Sequence, residues 1–237
     1  AFATSDLRTT VISCATNVIL LRYQQYLGAV TTSGNYYVSG IRFIQTNAAA
    51  TLSVVQLDVL GEYSIVEKIE IYQSGTGDGI RFLELTKGTF QFANVLNRDW
   101  VTAGLGAARV GCGVNIFDQY NAGLGMVRKV TSRGFKDAFI LGYGSFDLGP
   151  FTIEECECSV NYRGITVGAL QSKTLLSHNY FEGIELTCIT DNGKYTSITD
   201  NELQPGTWTL GINGGSQAGG CNYERNQIGL SPALSNV

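Results

Sequence analysis

Two groups of glutamates stand close enough along the chain to suggest acid–base chemistry: Glu154, Glu155 and Glu157 around Cys156, and Glu182 with Glu185. Hydrolysis of a glycosidic bond needs two carboxylates about 5 to 9.5 Å apart, one protonated as the acid and the other ionised as nucleophile or base. Like charges that folding brings together raise the pKa of one partner, which is the property a general acid requires. The alternative is that these are ordinary surface carboxylates in a chain with 20 acidic residues. Asp137 and Asp147 are weaker candidates of the same kind. Saccharide binding calls for polar side chains beside exposed aromatic faces. Arg81 and Asn115 supply the former, and Trp100, Tyr143 and Tyr162, with Tyr120, the latter, unless each ring folds onto the chain beneath it.

Other chemistries lack their residues. Ser177 and His178 are adjacent, and neighbours on a strand point to opposite faces, so they make a poor nucleophile and base. The aspartates, Asp191 and Asp200 among them, are too scattered for a calcium cluster. A zinc site would need more than one Cys-x-Cys and the single His178. No cofactor is expected. The six cysteines read as buried thiols more readily than as disulfides.

The elements that position these residues follow from a repeat. A unit of small residue, apolar, variable, apolar recurs at Gly40–Phe43, Gly79–Phe82, Gly113–Ile116, Ala138–Leu141, Gly164–Val167, Gly183–Leu186 and Thr207–Leu210, with Trp208 inward in the last. Its steps are 39, 34, 25, 26, 19 and 24 residues. A second register pairs Ile153 with Cys156, Leu176 with Asn179, Ile198 with Asn201 and Tyr223 with Asn226, at steps of 23, 22 and 25. Alternation at period two beside Gly, Asn, Thr and Ser predicts strands rather than helices. Two registers with one period mean at least two strands per coil.

The fold expected is all-β: a right-handed parallel β-helix, or solenoid, of about seven or more coils stacked about 4.8 Å apart. Residues 1–35 form an N-terminal cap or first coil, and 36–237 the solenoid, with a glycine-rich loop at 211–220. The two long early steps come from loop insertions or an unrecognised coil, with 54–60 and 90–96 as extra strand material. The variable positions Arg42, Arg81, Asn115, Ile140, Thr166, Glu185 and Thr209 then make an outward stripe, which is a saccharide groove, a subunit interface or a solvated face.

The runs His178-Asn-Tyr-Phe-Glu-Gly-Ile-Glu-Leu186 and Thr199-Asp-Asn-Glu-Leu203 resemble coils of pectin-lyase-like parallel β-helix proteins. That resemblance implies an asparagine ladder through Asn179, Asn201 and Asn226, with Cys156 and Val130 taking the position in earlier coils. Within that superfamily the chain is most similar to β-helical parts of bacteriophage tailspikes and tail fibres. This implies a homotrimer, joined to other virion tail proteins, that binds bacterial surface polysaccharide and in some cases cleaves it. The alternatives are a secreted lyase or hydrolase of the same class and a purely structural virion protein. A net charge of −4 with scattered Lys and Arg gives no footprint for nucleic acid, and no apolar run is long enough to cross a bilayer. The start at Ala1 suggests an upstream domain. The expected setting is the phage virion, or otherwise the extracellular space.

Overall fold

The computed structural model describes residues 10–23, 37–60, 64–97, 109–116, 124–142, 149–205, 210–215 and 219–229. Among these residues there is no helix, and the strands pair in parallel. In chain order they begin with β1 (Thr10–Cys14), β2 (Leu21–Tyr23), β3 (Tyr37–Ser39), β4 (Ile41–Gln45), β5 (Val55–Leu60), β6 (Ile65–Glu67), β7 (Glu70–Gln73) and β8 (Ile80–Thr86). The long β9 (Thr89–Asn97) precedes β10 (Cys112–Ile116), a second long strand β11 (Gly125–Arg133), β12 (Asp137–Leu141), β13 (Phe151–Glu154), β14 (Glu157–Ser159) and β15 (Arg163–Val167). There follow β16 (Thr174–Ser177), β17 (Tyr180–Ile184), β18 (Thr187–Asp191), β19 (Ser197–Thr199), β20 (Glu202–Pro205), β21 (Leu210–Gly214), β22 (Asn222–Glu224) and β23 (Gln227–Ile228). They form a β-solenoid of about six turns with incomplete coils at its ends, slightly fewer than the seven or more expected.

Each turn has three faces. The first carries β3, β6, β13, β16, β19, β22 and the leading halves of β9 and β11. The second carries β1, β4, β7, β14, β17, β20, β23 and the trailing halves of β9 and β11. The third is a separate eight-stranded sheet in the order β2-β5-β8-β10-β12-β15-β18-β21. Alternate residues point inward and stack in register. On the third face the inward column is Val55, Ile80, Val114, Phe139, Ile165 and Ile189, and on the first face Val66, Phe90, Val127, Ile153, Leu176 and Ile198. All twelve are buried, and each contributes about 1.5–3 kcal/mol by leaving water.

Four of the seven sequence units, from Gly79–Phe82 to Gly164–Val167, lie in register on the third face. Gly40–Phe43 belongs instead to the second face, and Gly183–Leu186 crosses the corner between β17 and β18. The third-face stripe therefore runs Gln56, Arg81, Asn115, Ile140, Thr166, Thr190 and Asn213, without Arg42 or Glu185. The 39-residue step hid the coil containing β5. The 34-residue step is an insertion, because β8 pairs directly with β10 and the surplus chain falls between β9 and β10. The glycine-rich stretch opens as the strand β21 rather than as a loop, while Thr209 and Trp208 lie outside the described residues.

Single residues with positive φ turn the corners. Between the first and second faces they are Gly40, Lys68, Phe92, Lys129, Glu155, His178, Asp200 and Arg225, with φ from 51° to 71°. Between the third and first faces Lys87, Leu124, Lys173, Tyr195 and Gly220 do the same. For a side chain other than glycine this conformation costs roughly 1–2 kcal/mol, and the coils above and below hold it in place. Leu124 is 62% exposed, so its side chain has little packing to lose. Leu124→Gly is expected to raise stability by about 0.5–1 kcal/mol after the entropy cost of glycine, read from the urea midpoint.

One residue beyond the first of these corners, the asparagine ladder is present. The Nδ2 of Asn179 donates to Asn201 Oδ1 at 3.0 Å, and that of Asn201 to Asn226 Oδ1 at 2.9 Å. Each amide also donates to a carbonyl of the preceding coil: Asn179 to Ile153, Asn201 to Leu176 and Asn226 to Ile198, at 2.8–3.0 Å. Cys156 occupies the next rung, where its thiol lies 3.3 Å from Glu154 O and 3.8 Å from Val127 O, the carbonyl equivalent to the ladder's acceptors. Burial pushes this thiol up to about 12, so it stays protonated and able to donate, although weakly. Cys156→Asn is similar in size and converts that contact into a full hydrogen bond. It is expected to add about 1 kcal/mol of stability, and equal or lower stability would reject this account of the rung.

Candidate functional site

The five candidate glutamates occupy three different places. Glu154 and Glu155 stand over the preceding coil's cations: Arg128 lies 3.7 Å from each, and Lys129 lies 3.3 Å from Glu155. Glu157 and Glu182 face outward on the second face, on either side of Tyr180, with Glu202 on the next coil. Desolvation first, then Glu182, Glu202 and Glu157, raises the Tyr180 phenol. Glu185 is elsewhere, at the corner between the second and third faces, where its Oε1 lies 2.5 Å from Arg109 Nη2. The Arg109 side chain is 1% exposed, and desolvation lowers its pKa despite Glu185.

A different carboxylate has the environment that acid chemistry requires. Asp78, just before β8, is raised chiefly by burial, against the hydrogen bonds it accepts from Asn115 Nδ2 (2.9 Å) and the Cys112 amide (3.0 Å). The Arg81 charge opposes the shift, and Asp137 adds to it. Arg81 and Asn115 pair across β8 and β10, so two of the expected binding residues meet here. Asp137 pairs in register with Cys112 on one side and Arg163 on the other, and Arg163 grips its carboxylate at 2.6 and 2.8 Å. Two coil spacings separate Asp78 from Asp137, about 9–10 Å between backbones. Tyr162 is half-buried beside Arg163, its amide donating to Phe135 O at 3.0 Å. Trp100, Tyr143, Tyr120 and Asp147 lie outside the described residues.

The signal for Asp78 was in the repeat. Asp78, Cys112, Asp137 and Arg163 each immediately precede the small residue of a third-face unit. That position starts the strand, where the chain leaves the corner and a polar group can reach strand-end amides. Among the described residues no group of three His, Cys, Asp or Glu could hold a metal ion, and all six cysteines are free, four of them buried. The arrangement offers a carboxyl whose pKa burial raises, an amide and two guanidinium groups on one polar sheet edge, which suits hydroxyl-rich ligands.

No protein family, curated protein or solved structure matches this chain. The reading of this site therefore rests on its geometry.

Proposed function

We propose that the chain is a glycan-binding β-solenoid module of a phage tailspike or tail fibre, which holds bacterial surface polysaccharide along its third face and acts as a homotrimer. The observation that carries the binding reading is the clustering of Asp78, Arg81, Asn115 and Asp137 with Arg163 on one edge of a continuous parallel sheet. Support for the virion setting and the trimer comes from the solenoid architecture and the coil resemblance alone. Binding to a panel of bacterial polysaccharides tests the first part, and light scattering the second. Arg81→Ala with Asn115→Ala is expected to weaken glycan binding at least tenfold, about 1.4 kcal/mol. Unchanged affinity moves the groove elsewhere, and a mass of 25.6 kDa in solution rejects the trimer.

Cleavage is the second reading, favoured by the raised Asp78 carboxyl and its spacing from Asp137. Asp137 is 3% exposed and locked by Arg163, which favours binding over cleavage. Asp78 also gives a pH signature. A carboxyl whose folded pKa is raised contributes stability below the unfolded value near 3.9 and loses it as pH rises through the folded value. Asp78→Asn keeps the Cys112 contact and can donate to Asn115 Oδ1, which has no other partner. It is expected to be at least as stable as the native chain at pH 7, and its advantage should vanish near pH 4. An advantage that grows on acidification would contradict the assignment.

A further inference from the structure

Upstream of Asp78 and Cys112, at the same corner, a cavity of about 150 Å³ is lined by Ala48, Ser74, Gly75, Thr76, Asn97, Arg109, Val110 and Gly134. Its floor is buried, formed by Gly75, Asn97, Arg109 and Gly134, while Ala48 and Thr76 stand exposed at its rim. Among the described residues no acidic side chain lines it, and Arg109 is the charged one that does. Glu185 engages only Nη2, whereas Nε and Nη1 are buried without a hydrogen-bond partner. A guanidinium this enclosed with donors left over is costly, and native structures satisfy such donors with a protein group, water or a ligand.

We propose that this cavity binds the oxyanion group, carboxylate or phosphate, of an acidic glycan, with Arg109 Nε and Nη1 as its charged donors. Ser74, Thr76 and Asn97 add polar residues to the same lining, with Thr76 Oγ1 donating to Ala50 O and Asn97 Nδ2 to Gly75 O, each at 3.4 Å. The planar guanidinium fork is matched to oxyanions, and each contact is charge-assisted. The volume equals about five waters at roughly 30 Å³ each, enough for an oxyanion and part of the sugar that bears it. The cavity adjoins the Asp78–Arg81–Asn115 edge, so a chain held there could place an acidic substituent in it. The inference rests on the glycan-binding reading only for the source of the anion.

The test titrates the full chain with sodium glucuronate, inorganic phosphate and glucose at constant ionic strength. The readouts are the backbone amide resonances of Gly75, Thr76 and Gly134 and the Arg109 Nε–H. At least one oxyanion is expected to give saturable shifts with a Kd of about 1–10 mM, and glucose none. Whether glucuronate or phosphate binds decides between carboxylate and phosphate. Glu185→Gln removes the competing charge and should tighten binding about threefold or more. The double variant Arg109→Met, Glu185→Leu, which removes both charges of the pair, should abolish it. Silence up to about 100 mM leaves a cavity that holds water only, and equal shifts with glucose leave a site that does not select an oxyanion; either result overturns the proposal. Binding that survives in the double variant overturns it as well. Polysaccharide binding with a silent cavity rejects this site and keeps the proposed function, and the converse rejects the proposed function.

Discussion

Asn201→Leu is expected to cost about 3–5 kcal/mol and to lower the thermal midpoint by several degrees or more. Asn201 is 1% exposed and sits between two other asparagines. Its Oδ1 accepts from the Asn179 amide at 2.9 Å and from Asn179 Nδ2 at 3.0 Å. Its Nδ2 supplies Leu176 O, Thr199 O and Asn226 Oδ1. Leucine has a similar reach and none of these groups, so the Asn179 amide and the Leu176 carbonyl lose partners inside the stack, at about 1–3 kcal/mol each. The same change at Asn226, half-buried at the end of the ladder, should cost clearly less. Urea unfolding of both variants checks this. Equal losses would mean that packing, rather than the ladder, sets the energy.

Glu185→Ala is the second large effect, about 3–5 kcal/mol, because it strands the Arg109 guanidinium, which is 1% exposed, without its counter-charge. Arg109 lies between β9 and β10 and Glu185 between β17 and β18, so the pair ties distant coils along one corner. Replacing both partners with apolar residues, as in Arg109→Met with Glu185→Leu, is expected to recover most of the loss, since buried pairs contribute little net stability. A double variant as weak as Glu185→Ala would show that the pair holds the corner in some other way. The comparison uses denaturation midpoints at matched ionic strength, although a pair this buried is screened little by salt.

What the sequence made legible tracks what stacking repeats. The apolar units could be counted because each inward column accepts only side chains that fill it, so Ile80, Val114, Phe139 and Ile165 recur at the coil spacing. Asn179, Asn201 and Asn226 stood out for the same reason. Gly40–Phe43 and Gly183–Leu186 have the same chemistry on other parts of the coil, because an inward apolar pair looks alike on any face. The surroundings of the glutamates were not legible because spacing along the chain says nothing about which coil's cation will meet them, as Arg128 meets Glu154 and Arg109 meets Glu185. Asp78 was hidden because its pKa comes from burial and from Cys112 and Asn115, both on the next coil. Most of the positive-φ corners were invisible because, apart from Gly40, Asp200 and Gly220, residues such as Lys, Phe, Glu, His and Arg fill them rather than the glycine or asparagine that local preference selects.

That last feature bears on how such a molecule diversifies. Along the corner between the first and second faces the backbone strain is nearly the same for lysine, phenylalanine, glutamate, histidine or arginine, and these side chains face solvent. Exchanges among them leave the coil's shape and core untouched, so charge and aromaticity along a whole edge of the rod are free to drift. The solenoid thus separates the residues that hold it together from those that set its surface identity, and a lineage can rewrite the second set one rung at a time while the first stays constant.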